Sequence, residues 1–256
     1  MGFLEKLKEG IKQAGRAIAS GAKHVWQGVK EVTREVRDTC REGVKIVTDT
    51  VHEWGQRIEE QRKKRQYIRS VKAGHHQLVE EKPDKEVKEK TKELMDRTFH
   101  GDVVGTLKNK TAEERIQLLD DFGKKITKVY GVDDIPVEIG YPTNYAEMRY
   151  CGSYNDEKKR VFINAAYVES ENPRLAAEQV FTIIHEVNHA RQWATIRDYE
   201  KFGYSPQRAW ELALNQRYYI RPDESDRAYR MQPVEAQSFE LEEELKQYCN
   251  VGPINE

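Results

Sequence analysis

The sequence predicts an α+β fold that is mostly helical, with a small β-sheet, and three observations lead there. Apolar residues recur every three or four positions along much of the chain, the helical period. Only two runs, Ile135 to Gly140 and Arg160 to Asn164, read as short strands. Hydrophobic residues make up 38% of the 256 and charged residues 34%, so much solvated surface surrounds the core. Four Trp and thirteen Tyr argue against a disordered chain.

The first element is a long amphipathic stripe. From Leu4 through Ile18, Val36 and Val51 to Ile58, apolar residues step by three and four, with Lys, Arg and Glu on the other faces. Glycines at 10, 15, 21, 28, 43 and 55 each cost roughly 1 kcal/mol against alanine, so two or three helical pieces or one marginal helix are expected. Arg62 to Arg65 form a short basic run, too thin to indicate nucleic acid. Lys82-Pro83-Asp84 reads as a break, followed by a charged helix from Asp84 to Arg97. Thr111 opens the next helix, with Glu114 completing a capping box, and Gly131 closes it. The two strands follow, and the hydrophilic stretch 153–159 allows a hairpin before the second. Asn172-Pro173 and Ser205-Pro206 cap further helices, Pro233 can open another, and 240–248 reads as an acidic terminal helix.

Charge is unevenly distributed. Residues 1–80 carry 17 Lys and Arg against 11 Asp and Glu, whereas the remainder carries 26 against 33. This reversal, with the change of periodicity, divides the chain into two functionally different parts, 1–82, an amphipathic helical region, and 83–256. The second part is expected to fold without the first. The N-terminal stripe, residues 1–58, is a candidate for contact with a membrane surface, with another helix, or with a delivery machine. Lys6 stands where N-myristoylation wants Ser or Thr. Cys40, Cys151 and Cys249 have no disulfide or zinc-ribbon spacing. Charges interrupt the N-terminus as no signal peptide would, and no stretch approaches a membrane span, so the chain is expected to be cytoplasmic when made. Release from the cell would require a specialised secretion system.

The chemistry concentrates in His185-Glu186-Val187-Asn188-His189. Two histidines four apart share one helix face, so both imidazoles can bind one Zn2+ ion, while Glu186 reaches water at the open position. Leu175, Val180, Ile183, Ile184 and Val187 place this pair on a largely buried helix, where unpartnered imidazoles would be costly. A third ligand is required. Gln192 and Thr195 stand where an extended motif would have Gly and His, so the ligand is a carboxylate or an earlier residue. Glu235, in the first turn after Pro233, is the leading candidate, with Glu240, Asp223 and Asp226 as competitors.

The segment from Tyr150 to Glu243 resembles a zincin-like metallopeptidase domain, in particular metallopeptidases of bacterial toxin and effector proteins. The likeness rests on the Tyr150–Asn164 stretch, the His-Glu-Val-Asn-His-Ala-Arg-Gln run from 185, Trp210, Asn215, Tyr218 and the Tyr-x-x-Gln-Pro-x-Glu stretch ending at Glu235. It implies a small sheet ahead of the zinc helix and Glu235 as the third ligand. Relatives often carry an acidic residue shortly after that glutamate, where this chain has Ala236 and Gln237. On this basis Glu186 is expected to be the general base of peptide hydrolysis. Tyr229 leads the candidates for the oxyanion donor, with Tyr218, Tyr219 and Arg230 behind it. The edge of the Arg160–Asn164 strand could add an extended peptide. The expected partners are a protein or peptide substrate and, for an effector, secretion machinery or an immunity protein. The alternatives are a housekeeping peptidase positioned or restrained by its N-terminal helices, and a membrane-surface or scaffold protein with a structural zinc; Cys40 or Cys151 could supply a fourth ligand in an inhibited state.

Overall fold

The computed structural model describes residues 22–143 and 151–252, with Gly2, Glu5 and Lys8 as isolated positions before them. The start of the stripe, most of its side chains up to Val51 (Cys40 among them), and Tyr150 lie outside the described residues. Two compact units are present, residues 1–65 and 66–256.

The long element is α1, Ala22–Lys72, continuous through Gly28, Gly43 and Gly55 rather than broken into pieces. Every described side chain from 34 to 58 is exposed. Its last turns belong to the second unit, where Tyr67 and Val71 are buried with Tyr218, Ile220 and Ala228.

The second unit continues with α2 (Lys82–Phe99), α3 (Val103–Lys108) and α4 (Ala112–Val129). The capping box at α4 is present: Thr111 Oγ1 accepts from Glu114 N, and Glu114 accepts from Thr111 N at 2.8 Å. Three strands follow, β1 (Val137–Gly140), β2 (Gly152–Asn155) and β3 (Arg160–Asn164). Their order is β1-β3-β2, with β1 parallel and β2 antiparallel to β3. Arg160 to Asn164 is therefore the central strand, paired on both sides, and offers no edge for a peptide; the edges belong to β1 and β2. β2 itself, with Gly152 and Ser153, lacks a strand-forming composition and forms where the hairpin was expected to loop. The short helix α5 (Ala165–Val168) leads to α6 (Pro173–Arg197), then α7 (Pro206–Arg217), α8 (Asp226–Met231) and α9 (Pro233–Tyr248). The expected acidic terminal helix is the second half of α9.

Helix α6 runs through the core. Val180, Phe181, Ile183, Ile184 and Val187 are fully buried in one cluster with Phe99, Leu107, Phe122, Ile126 and Ile163. Such burial contributes roughly 1.5–3 kcal/mol per side chain. Gly152 lets β2 lie directly on this helix: a Cβ there would stand 2.6 Å from Thr182 Cγ2. No described helix is long and apolar enough to cross a membrane.

Candidate metal centre

His185, Glu186 and His189 project from the middle of α6, and Glu235 from the first turn of α9. A buried amide lattice brings the two together. Gln232 caps α9 and accepts from Asn215 Nδ2 and Ile220 N, while its own amide donates to Ile220 O. Asn215 Oδ1 accepts from Val234 N. From α6, Gln192 donates to Val234 O and Gln237, and Asn188 donates to Ser238. These bonds satisfy the backbone N–H and carbonyl of Val234 and fix the first turn of α9 against α6.

The resulting geometry suits an ion. His185 Nε2 lies 3.4 Å from Glu235 Oε2, and His189 Nε2 lies 3.4 Å from Glu235 Oε1. The two contacts run to different carboxylate oxygens, and one donor atom from each of the three residues lies within 4.8 Å of the other two. Glu235 is 1% exposed and its Oε2 has no hydrogen-bond partner, an orphaned acceptor that a cation would satisfy. His185, His189 and Glu235 therefore form a group that could hold a metal ion. The competitors do not: Glu240, Asp223 and Asp226 are all exposed.

Each imidazole is oriented from behind. His185 Nδ1 meets Glu242 Oε2 at 3.1 Å, and His189 Nδ1 meets Gln192 Oε1 at 2.8 Å. Glu242 is itself gripped by Lys246 at 2.7 Å, whose ammonium also reaches Glu178 at 2.5 Å. Burial alone would raise the Glu242 pKa, but His185 and Lys246 outweigh it and hold the carboxylate low. This support for His185 comes from a residue seven positions beyond Glu235 on α9, two helical turns on. Phe239 packs edge-on against the His185 ring at 4.9 Å. Burial would also lower the His185 pKa, yet Glu235, Glu242 and Glu186 push it up to about 10, so this pocket favours positive charge.

Glu186 stands beside the centre on a cleft of about 860 Å³. Its Oε2 accepts from Tyr154 N of β2 at 2.7 Å, and burial raises its pKa against the pull of both histidines. Tyr154 is fixed in turn: its hydroxyl donates to Asp156, which Arg197 at the end of α6 and Lys159 also bind. Tyr219 donates to Glu235 Oε1 at 2.7 Å, and Tyr229 lies against Tyr219 and Phe239 on the same cleft. Burial, followed by Glu235, drives both phenols far above their usual pKa, so both keep their protons. Tyr218 is packed into the Tyr67 cluster, and Arg230 is exposed over the Phe239 ring at 5.2 Å. Sequence reasoning did not single out Glu242 or the Tyr154 amide, and it ranked Tyr219 behind Tyr229. Cys151 is exposed and does not belong to the group that could hold a metal ion.

Comparison with known proteins yields no match: no family model, no curated protein and no solved structure is similar to this chain.

Proposed function

We propose that the chain is a zinc-dependent peptidase of zincin-like type. The observation that carries this reading is the juxtaposition of a three-ligand centre, open on one side to a cleft, with a buried carboxylate that is not a ligand. Two imidazoles and a carboxylate suit zinc, and a structural site would want a fourth protein ligand. Among the described residues the group has three. When bound, the metal supplies a Lewis acid that acidifies water towards a pKa of ~7 and polarises a carbonyl.

The residues of the chain divide the remaining work. Glu186 accepts the proton of the attacking water; the Tyr154 amide holds one of its oxygens and leaves the other for that proton. Its raised pKa then favours handing the proton on to the leaving amine. The phenols of Tyr229 and Tyr219, both protonated beside Glu235, are donors for the developing oxyanion. The substrate would lie along β2. Cys151 O accepts from Asn164 N on the β3 side, so by alternation the backbone groups of Gly152 and Tyr154 face away from β3. Their carbonyls can pair with an extended peptide. An effector role is supported by the sequence resemblance alone.

Product analysis after exposing a candidate target proteome to the parent and to Glu186→Gln tests the proposal. The variant should keep its metal and fold and lose about 10²–10⁴-fold in hydrolysis. Cleavage by Glu186→Gln at the parent rate would remove Glu186 from the mechanism.

A further inference from the structure

The two imidazoles of the centre are backed differently. Behind His185 stands a charged group, the Glu242 carboxylate, at 3.1 Å. Behind His189 stands the neutral amide of Gln192, at 2.8 Å. That amide is the first link of a chain. Gln192 Nε2 donates to Gln237 Oε1 at 2.9 Å, and Gln237 Nε2 donates to Asp84 Oδ1 at 3.2 Å. The chain of bonds runs from α6 through α9 to the first turn of α2.

Its polarity is fixed at both ends. Gln192 Nε2 also donates to the Val234 carbonyl at 3.1 Å, and a carbonyl can only accept, so this amide cannot turn over. Gln192 Oε1 therefore faces His189. The ring must donate from Nδ1, which leaves the Nε2 lone pair for an ion. At the far end the Asp84 carboxylate can only accept, so Gln237 too has one orientation. Asp84 is held by three further donors: the Tyr204 hydroxyl at 2.6 Å, Arg208 Nη2 at 2.5 Å and the Glu81 backbone amide at 2.8 Å. Its position is set independently of the centre.

We propose that Asp84 is a positioning residue for His189, the distant counterpart of Glu242 behind His185. This rests on the zinc reading above. Acting through the two amides, the carboxylate polarises the Nδ1–H bond, raises the basicity of Nε2 and keeps the ring turned towards Glu235.

Chelator competition for Zn2+ with the full chain tests this. Asp84→Asn and Gln237→Met should each weaken binding about 10-fold, the low end for groups that orient a ligand from behind. The double variant Asp84→Asn/Gln237→Met should bind no more weakly than Gln237→Met, since Asp84 acts only through Gln237. Asp84→Asn/Gln237→Glu moves the carboxylate one link nearer to His189 and should restore the parent affinity, a rescue that damage to the fold would not show. Ser205→Ala removes a neighbouring bond to Glu81 and leaves the chain of bonds whole, so affinity should hold. Four outcomes would overturn the proposal while the zinc centre stands: unchanged affinity in Gln237→Met, additive losses in its double variant with Asp84→Asn, no recovery with Gln237→Glu, or an equal loss in Ser205→Ala. A parent that binds no zinc would overturn both readings.

Discussion

Helices α1 and α6 are the two longest among the described residues, and they present opposite patterns. α1 has a clean apolar stripe over residues whose described side chains, from 34 to 58, are all exposed. α6 has no such stripe, because it is buried on several faces at once, by α4, β2, β3 and α9 among others. In α6 the informative residues are the polar ones. His185, Asn188, Arg191 and Gln192 are buried, and each finds a partner: Glu242, Ser238, the carbonyl of Tyr130, and the carbonyl of Val234. Polar groups that are paired on a buried helix report a built site, which an apolar stripe by itself does not.

The largest expected effect tests where the core of the second unit ends. A chain starting at Gln66 keeps Tyr67 and Val71 in their cluster; one starting at Pro83 loses both, along with the Val79 carbonyl that accepts from Arg208 and the Glu81 carboxylate that accepts from Ser205. Denaturant unfolding should show the shorter chain less stable by about 3–6 kcal/mol, from two buried side chains at about 1.5–3 each. Equal midpoints would mean that the end of α1 contributes nothing to the unit it packs in.

Ile184→Ala and Trp54→Ala set the two helices directly against each other. Ile184 is fully buried, so its truncation should cost about 2–5 kcal/mol at any protein concentration. Trp54→Ala should stay within about 0.5 kcal/mol in dilute solution. A loss of several kcal/mol from Trp54→Ala in dilute solution would show that α1 is packed and not exposed.

A smaller effect sharpens the account of α6. Glu242→Gln removes the charge behind His185 while preserving shape, and metal affinity measured by chelator competition should fall about 10–100-fold. Unchanged affinity would reduce Glu242 to a partner of Lys246. The smallest change is expected from Glu240→Gln: it lies on the exposed side of α9, and metal affinity should match the parent within error.

Much of the centre was legible before the structure because it is local. The four-residue step from His185 to His189 needs only helix geometry, and Pro233 ahead of Glu235 needs only a helix start. The capping residues Thr111, Asn172 and Ser205 mark their helices for the same reason. What escaped is held by partners distant in sequence. Glu242 is 57 residues from His185, and Tyr154 is 32 from Glu186. β2 exists because β3 pairs with it and because Gly152 can lie against Thr182, not because its residues favour a strand.

The sequence by itself determined which side chains could do chemistry: spacing along a helix is set by 3.6 residues per turn, and the donor types are written in the residues. The tertiary structure decided which of those groups meet. It chose Glu235 over Glu240 because one faces α6 and the other solvent, and it made β3 the central strand, leaving the sheet edges to β1 and β2. It set Gln192 and Glu242 behind the histidines. These are choices between positions that are equivalent in local preference, so no local preference could make them. Packing makes them, since a buried acceptor or imidazole left without a partner costs more than the alternatives in helix register or strand order.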